Sequence, residues 1–271
     1  MTVISSVFNN KGGVSKSTNN MNIAMHLAME GKKVLLIDVD SQANLTSRIY
    51  IKEHNNYTIG DSIISNNQLT MKDIILSDIT DYENLYFIPS NKNMSYLEEI
   101  LAKSEDKEVI IMKWLVQNKE TVDLFDYILW DIGPNIGIVG RNVLITCSNM
   151  VLVNDYGCKD SLDMINDFIS DYAKHSKEVG FDMCRYVIFD NKTNKRIDKE
   201  TKEEYDNTLN KYNYLKEHYL STGLIESSVI KRANTEKISV KDYTKKHKLI
   251  NKIADESFDA LINELKERGI L

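Results

Sequence analysis

Only two prolines, Pro89 and Pro134, occur in a chain of 271 residues. No proline-, glycine- or serine-rich stretch marks a linker, and the sequence predicts a single domain over residues 1–271. Cysteine is scarce too. Cys147, Cys158 and Cys184 stand far apart, with no CxxC pair and no Cys/His cluster. That excludes a disulfide framework and a zinc ribbon, and predicts reduced thiols in a cytoplasmic protein. Long apolar runs are missing. The first one, Val3 to Phe8, is too short for a signal-peptide core and turns polar at once. Nothing approaches the roughly 20 apolar residues that cross a bilayer as a helix. Positive charge is not in surplus either. The net charge is −6, so only a local patch would recommend nucleic acid as a partner.

What is present is alternation. Short apolar runs at Thr2–Phe8, Lys33–Asp38, Leu85–Pro89, Asp126–Asp131, Met150–Val153 and Tyr186–Phe189 read as strands. Helical patterns separate them at Lys16–Glu30, Met94–Lys103, Lys107–Asn118 and Ser161–Ala173. Near-continuous apolar strands are those covered on both faces. The pattern predicts an α/β fold: a doubly wound, mostly parallel sheet with helices on both sides. From about residue 191 the composition turns to Lys, Asn, Asp and Glu, and a basic helical C-terminal part is expected. A last helix would carry Leu249, Ile250, Ile253, Phe258, Leu261, Ile262 and Leu265 on one face.

The first strand runs directly into Lys11-Gly12-Gly13-Val14-Ser15-Lys16-Ser17-Thr18, and a helix follows. Small residues let backbone N–H groups turn inward around phosphate oxygens, and a helix N-terminus adds positive potential. Lys16 is placed to reach β- and γ-phosphates, the Ser17 hydroxyl to ligate Mg²⁺, and Thr18 to donate to an α-phosphate. Three further carboxylates follow strands: Asp38 and Asp40 after the second, Asp131 at the end of a later one. Carboxyl ends of parallel strands converge on the ligand crevice. Asp38 and Asp131 are therefore candidates to hold Mg²⁺, and Asp40 to orient an attacking water.

These residues carry a resemblance. Lys11 to Thr18 resembles the deviant Walker A motif of ParA/MinD-type P-loop ATPases. Leu36-Ile37-Asp38-Val39-Asp40-Ser41-Gln42-Ala43-Asn44-Leu45-Thr46 resembles the family's switch I motif, with Ser41 in place of proline. Asp131-Ile132-Gly133-Pro134 resembles its Walker B and switch II motif, with Gly133 in place of the first proline. Phe87-Ile88-Pro89-Ser90-Asn91 and Asp190-Asn191-Lys192-Thr193 are similar to further family segments. The likeness is closest to small ParA partition ATPases without an N-terminal DNA-binding extension. It implies ATP and Mg²⁺ as cofactors and a homodimer with ATP between the subunits. In such a dimer Lys11 is the signature lysine, reaching the partner's nucleotide. It also implies nonspecific DNA binding on the nucleoid, and release through hydrolysis stimulated by a ParB-type activator. Two departures bear on catalysis. Ser15 stands where a P-loop prefers glycine at positive φ, at a cost on the order of 1 kcal/mol. Gly133 should loosen switch II. The asparagine that often reads adenine is not evident, with Val187 in its place.

A lysine-rich patch in the C-terminal part fits DNA: Lys231, Arg232, Lys237, Lys241, Lys245, Lys246 and Lys248. Lys192, Lys195 and Arg196 form a second candidate. Two alternatives stand beside partitioning. One is a MinD-like positioning ATPase held on the membrane by the last helix, although Asp255, Glu256, Asp259, Glu264 and Glu267 oppose anionic lipid. The other is a poorly hydrolysing nucleotide-gated scaffold, suggested by Ser15.

Overall fold

The computed structural model describes residues 1–49, 57–65 and 68–271. Six strands form one sheet: β1 (Val3–Phe8), β2 (Val34–Asp38), β3 (Leu85–Ile88), β4 (Tyr127–Asp131), β5 (Asn149–Asp155) and β6 (Arg185–Asn191). Their order is β3-β2-β4-β1-β5-β6, and every neighbouring pair is parallel. The α/β, doubly wound expectation is met.

Side chains on a strand alternate between faces, so a strand covered on both sides must be apolar throughout. In β2, Val34 and Leu36 enter one core while Leu35 and Ile37 enter the other. In β5, Val151 and Val153 point one way, Met150 and Leu152 the other. One core is covered by the loop helix Lys16–Met29 and the C-terminal helix Ile253–Glu267. The second holds Phe8, Trp130 and residues of helices Met94–Leu101, Ile138–Thr146 and Lys159–Val179. β1 lies between β4 and β5, so the loop after it opens at the centre of the sheet's carboxyl edge.

Two boundaries differ from the sequence pattern. The last helix begins at Ile253; Leu249 and Ile250 precede it. Ile250 is 99 % exposed, so it does not extend the buried stripe. Phe258, Leu261, Ile262 and Leu265 are buried in the core, which leaves their face no lipid to meet. The helix expected at Lys107–Asn118 spans Ile110–Gln117, because turns occupy the residues just before it. No helix among the described residues is long and apolar enough to cross a membrane.

Candidate active site

The loop between β1 and the helix Lys16–Met29 curls at the sheet edge. Ser15 takes φ 71°, ψ 29°, and Gly13 φ 77°. The positive φ expected at Ser15 is there, and a side chain in that region costs about 1 kcal/mol or more. Lys16 lies 8 % exposed, and its Nζ donates to the Lys11 carbonyl oxygen at 2.9 Å. Burial lowers the Lys16 pKa; Asp131 and Asp40 push the other way. A cleft of about 350 Å³ is lined by Gly12, Ser15, Lys16, Ser17, Thr18 and Asp40. Thr18 accepts a hydrogen bond from Arg48 at 2.7 Å, an arginine the sequence pattern did not single out.

Asp38 and Asp131 are neighbours across the β2–β4 register, and both are buried. Burial raises the Asp38 pKa to about 7, and the adjacent Asp131 charge adds to the rise. Asp131 moves up for the same first reason, although the Asn20 hydrogen bond and the Lys16 charge oppose it. Their bonding differs. Asp38 accepts from the Asp40 N–H, the Thr46 N–H and the Thr46 hydroxyl, and so braces the loop after β2. Asp131 accepts from Asn20 on Oδ1, while Oδ2 is buried with no hydrogen-bond partner. An orphaned carboxylate oxygen beside Ser17 and a lysine fits a hard divalent cation with oxygen ligands such as Mg²⁺. Ser17 and Asp131 would hold it, with Asp38 behind them as the brace.

Asp40 follows on the same loop. Its Oδ1 accepts from the Gln42 N–H, and Ser90 Oγ donates to its carbonyl at 2.6 Å. Gly133 explains how the carboxylate fits. A Cβ at Gly133 would lie 3.0 Å from Asp40 Oδ1 and 3.1 Å from Cγ. The glycine thus makes room for Asp40, which adds a reason for the substitution to the loosening expected from sequence.

Lys11 points away from its own loop. Its Nζ lies 3.2 Å from Asp155 Oδ2 and 2.7 Å from Cys158 Sγ. Lys192 Nζ lies 3.2 Å from the other Asp155 oxygen. Burial opposes the Lys11 charge, but the Cys158 and Asp155 bonds keep its pKa above the usual value. Asp155 is conversely held low: burial raises it, and both lysines outweigh that. Asp155 escaped the sequence pattern, in which the strand stops at Val153. The signal was available, since Asp155 is another carboxylate at a strand's carboxyl end.

Beside the loop lies a cleft of about 240 Å³, lined in part by Thr18, Asn191, Ile225, Glu226 and Ile230. Val187 sits in the hydrophobic core and cannot reach it. Asn191, at the end of β6, donates to the Val14 carbonyl oxygen at 3.1 Å.

The basic patch is scattered over two short helices, and acids take up part of its charge. Lys231 pairs with Glu226, Lys246 with Glu236, and Lys241 with Asp259. Arg232, Lys245 and Lys248 are exposed, while Lys237 is half-buried and caps a helix in the left-handed region. Lys192 belongs to the loop site rather than to a separate patch.

Residues 1–179 match the model of a family described as AAA domain. Among curated relatives, the chromosome-partitioning ATPase Soj of Treponema pallidum is 31 % identical over 144 residues, 53 % of either chain. The sporulation initiation inhibitor protein Soj of Bacillus subtilis is 32 % identical over 153 residues, 56 % of this chain and 58 % of that one. The chain thus spans about half the length of these relatives. Among solved structures, apo McdA from Cyanothece superposes with a TM-score of 0.78 at 17 % identity, over 98 % of this chain and 100 % of the other.

Proposed function

The chain belongs to the AAA domain family, as a P-loop ATPase of ParA type, and on that premise we propose that it is a partitioning ATPase. It binds ATP with Mg²⁺ and forms an ATP-sandwich homodimer. The dimer holds DNA without sequence preference and is released when a ParB-type centromere-binding activator stimulates hydrolysis. The observation that carries this reading is the division of labour between two lysines. Lys16 faces its own cleft, while Lys11 stands outside it on Asp155. A lysine on the loop that does not serve the loop's own phosphates is suited to a second subunit's.

The roles follow from chemistry. Backbone N–H groups from Gly12 to Thr18 cradle the phosphates, and Lys16 neutralises them. Ser17 and Asp131 would hold Mg²⁺, which would supply charge neutralisation to the phosphates. Asp40 accepts a proton from, or orients, the attacking water. The cleft beside Thr18 would take the adenine base, with Asn191 and Glu226 as the polar side chains that line it. The apolar face of the C-terminal helix is buried, which argues against a membrane-held positioning role. Ser15 keeps a non-hydrolysing, nucleotide-gated scaffold as the second reading, and measurable turnover abolished by Lys16→Ala removes it.

Two results test this reading. Binding of Mg²⁺ with ATP should release protons near neutral pH. A folded-state pKa raised to about 7 leaves Asp38 partly protonated there, and a cation favours the ionised form. That raised pKa contributes stability fully present below about pH 4 and lost as pH rises through about 7, so the cation also offsets a strain of the free protein. Calorimetry at pH 6.5 in two buffers of different ionisation enthalpy should show release of up to about one proton per subunit, fading by pH 8.5. Release unchanged between those pH values would exclude the buried pair as its source.

DNA binding has its own test. With ATP and Mg²⁺, the protein should retard random-sequence duplex at low salt. Arg232→Glu, Lys245→Glu and Lys248→Glu together should remove most of that binding. Its salt dependence should flatten by about 0.9 in log–log slope for each phosphate that is no longer neutralised. Full retardation by the triple variant would place the DNA elsewhere.

A further inference from the structure

At the far end of the loop helix lies a cluster unrelated to the nucleotide. His26 is ten residues beyond Lys16, roughly 15 Å along the helix axis. Its side chain is 4 % exposed. Nδ1 lies 2.8 Å from the Asn22 carbonyl oxygen, which can only accept, so Nδ1 carries the ring proton. Nε2 therefore presents a lone pair, and it is buried without a hydrogen-bond partner. It faces Asp259 Oδ1 at 3.6 Å. Asp255 sits one helical turn before Asp259 on the same face, 9 % exposed, with its Oδ1 also buried and unpartnered. One ligand atom from each of the three residues lies within 4.8 Å of the others. The Lys241 ammonium sits on Asp259, but nothing donates to His26 Nε2 or Asp255 Oδ1, and such buried acceptors are costly unless something positive reaches them.

We propose that His26, Asp255 and Asp259 bind a divalent first-row transition metal, with Zn²⁺ as the type ion, and so clamp the loop helix to the C-terminal helix Ile253–Glu267. Ligands at about 2.0–2.2 Å from a tetrahedral ion lie some 3.3–3.6 Å apart, so binding requires the Asp255 and Asp259 carboxylates to turn inward. The second sphere is already built. Ligating histidines donate their other N–H to a carbonyl or carboxylate, as His26 does to Asn22. The Phe258 ring stacks on His26 at 6.0 Å and forms an apolar wall. Burial lowers the His26 pKa, which favours the neutral imidazole a metal needs. An imidazole ligand selects against Mg²⁺, so this ion is distinct from the nucleotide's. Lys241 donates to both Asp259 oxygens, at 2.9 and 2.8 Å, and is the metal's competitor for that carboxylate.

The test uses the full chain, stripped with chelator and free of nucleotide. Co²⁺ is titrated by visible absorption, and Zn²⁺ by competition and by thermal melting. One equivalent should bind, and a hundredfold excess of Zn²⁺ over Kd should raise Tm by roughly 5 °C. Asp255→Asn and Asp259→Asn, which keep the shape of each side chain, should each weaken binding at least tenfold. Lys241→Gln should tighten it severalfold by removing the competitor. The clamp is overturned if the Asp255→Asn/Asp259→Asn double variant, shown folded by its circular dichroism, binds Zn²⁺ as wild type does.

Discussion

Lys11→Ala is expected to leave a chain that binds ATP within a few-fold of wild type but stays monomeric with ATP and Mg²⁺. The reason is where the ammonium sits. Lys11 Nζ reaches Asp155 and Cys158 and takes no part in lining the cleft of its own loop. Removing it deletes no interaction with the subunit's own phosphates. In the proposed dimer the same group would meet the partner's nucleotide, a charge-assisted contact shielded from water. Truncating one member of such a pair costs about 3–5 kcal/mol, or roughly 10²–10⁴ in affinity. Each dimer contains the contact twice, so the loss should be total at micromolar protein. Sedimentation velocity with ADP and with a slowly hydrolysed ATP analogue, on both chains, measures it. Wild type should shift to dimer with the ATP analogue alone. A dimer of Lys11→Ala under that condition would end the two-subunit reading of the loop.

The sheet was legible because it is covered on both faces. A strand such as Val34-Leu35-Leu36-Ile37 has no polar option at either parity, and that continuity is visible without knowledge of any partner. The loop was legible for a related reason. Its chemistry is local: strand, turn and helix start lie within one short run, and the positive φ at Ser15 follows from the turn alone. Side chains that act across long separations were harder to place. Asp155 holds Lys11 from 144 residues away, and polar residues at the end of β5 hid the strand's true length. Asn191 stood out in the sequence only as part of a family-like segment; its bond to the Val14 carbonyl oxygen depends on the register of β6 against the loop, which the whole sheet sets. The basic patch shows the same limit. Lysine density along the chain says nothing of Asp259, which takes up Lys241 from the next helix. Ile250 fits a helical stripe in sequence, yet the helix begins only at Ile253.

Asp40→Ala is expected to separate binding from chemistry. The carboxylate lines the phosphate cleft, and its backbone is pinned on both sides: the Asp38 carboxylate accepts its N–H, and Ser90 donates to its carbonyl oxygen. Those bonds survive loss of the side chain, so the loop should keep its course. Phosphate binding through Gly12 to Thr18 is likewise untouched. What disappears is a carboxylate held against Gly133, the group to which the proposed mechanism gives the attacking water. Removing a positioned acid–base group costs about 10²–10⁴ in rate. Phosphate release by Asp40→Ala should therefore fall at least a hundredfold, with nucleotide affinity within about threefold of wild type. The ATP-bound dimer should then accumulate instead of cycling. Lys16→Ala provides the contrast, since it removes the charge that faces the phosphates and should lose affinity and turnover together. Refilling the space would not restore the function: Asp40→Asn keeps the shape but cannot accept the proton. If Asp40→Asn turns over at the wild-type rate while Asp40→Ala does not, the group acts by orienting water through hydrogen bonds. If both turn over within about fivefold of wild type, Asp40 has no part in hydrolysis, and the general base must be sought elsewhere on the loops after β2 and β4.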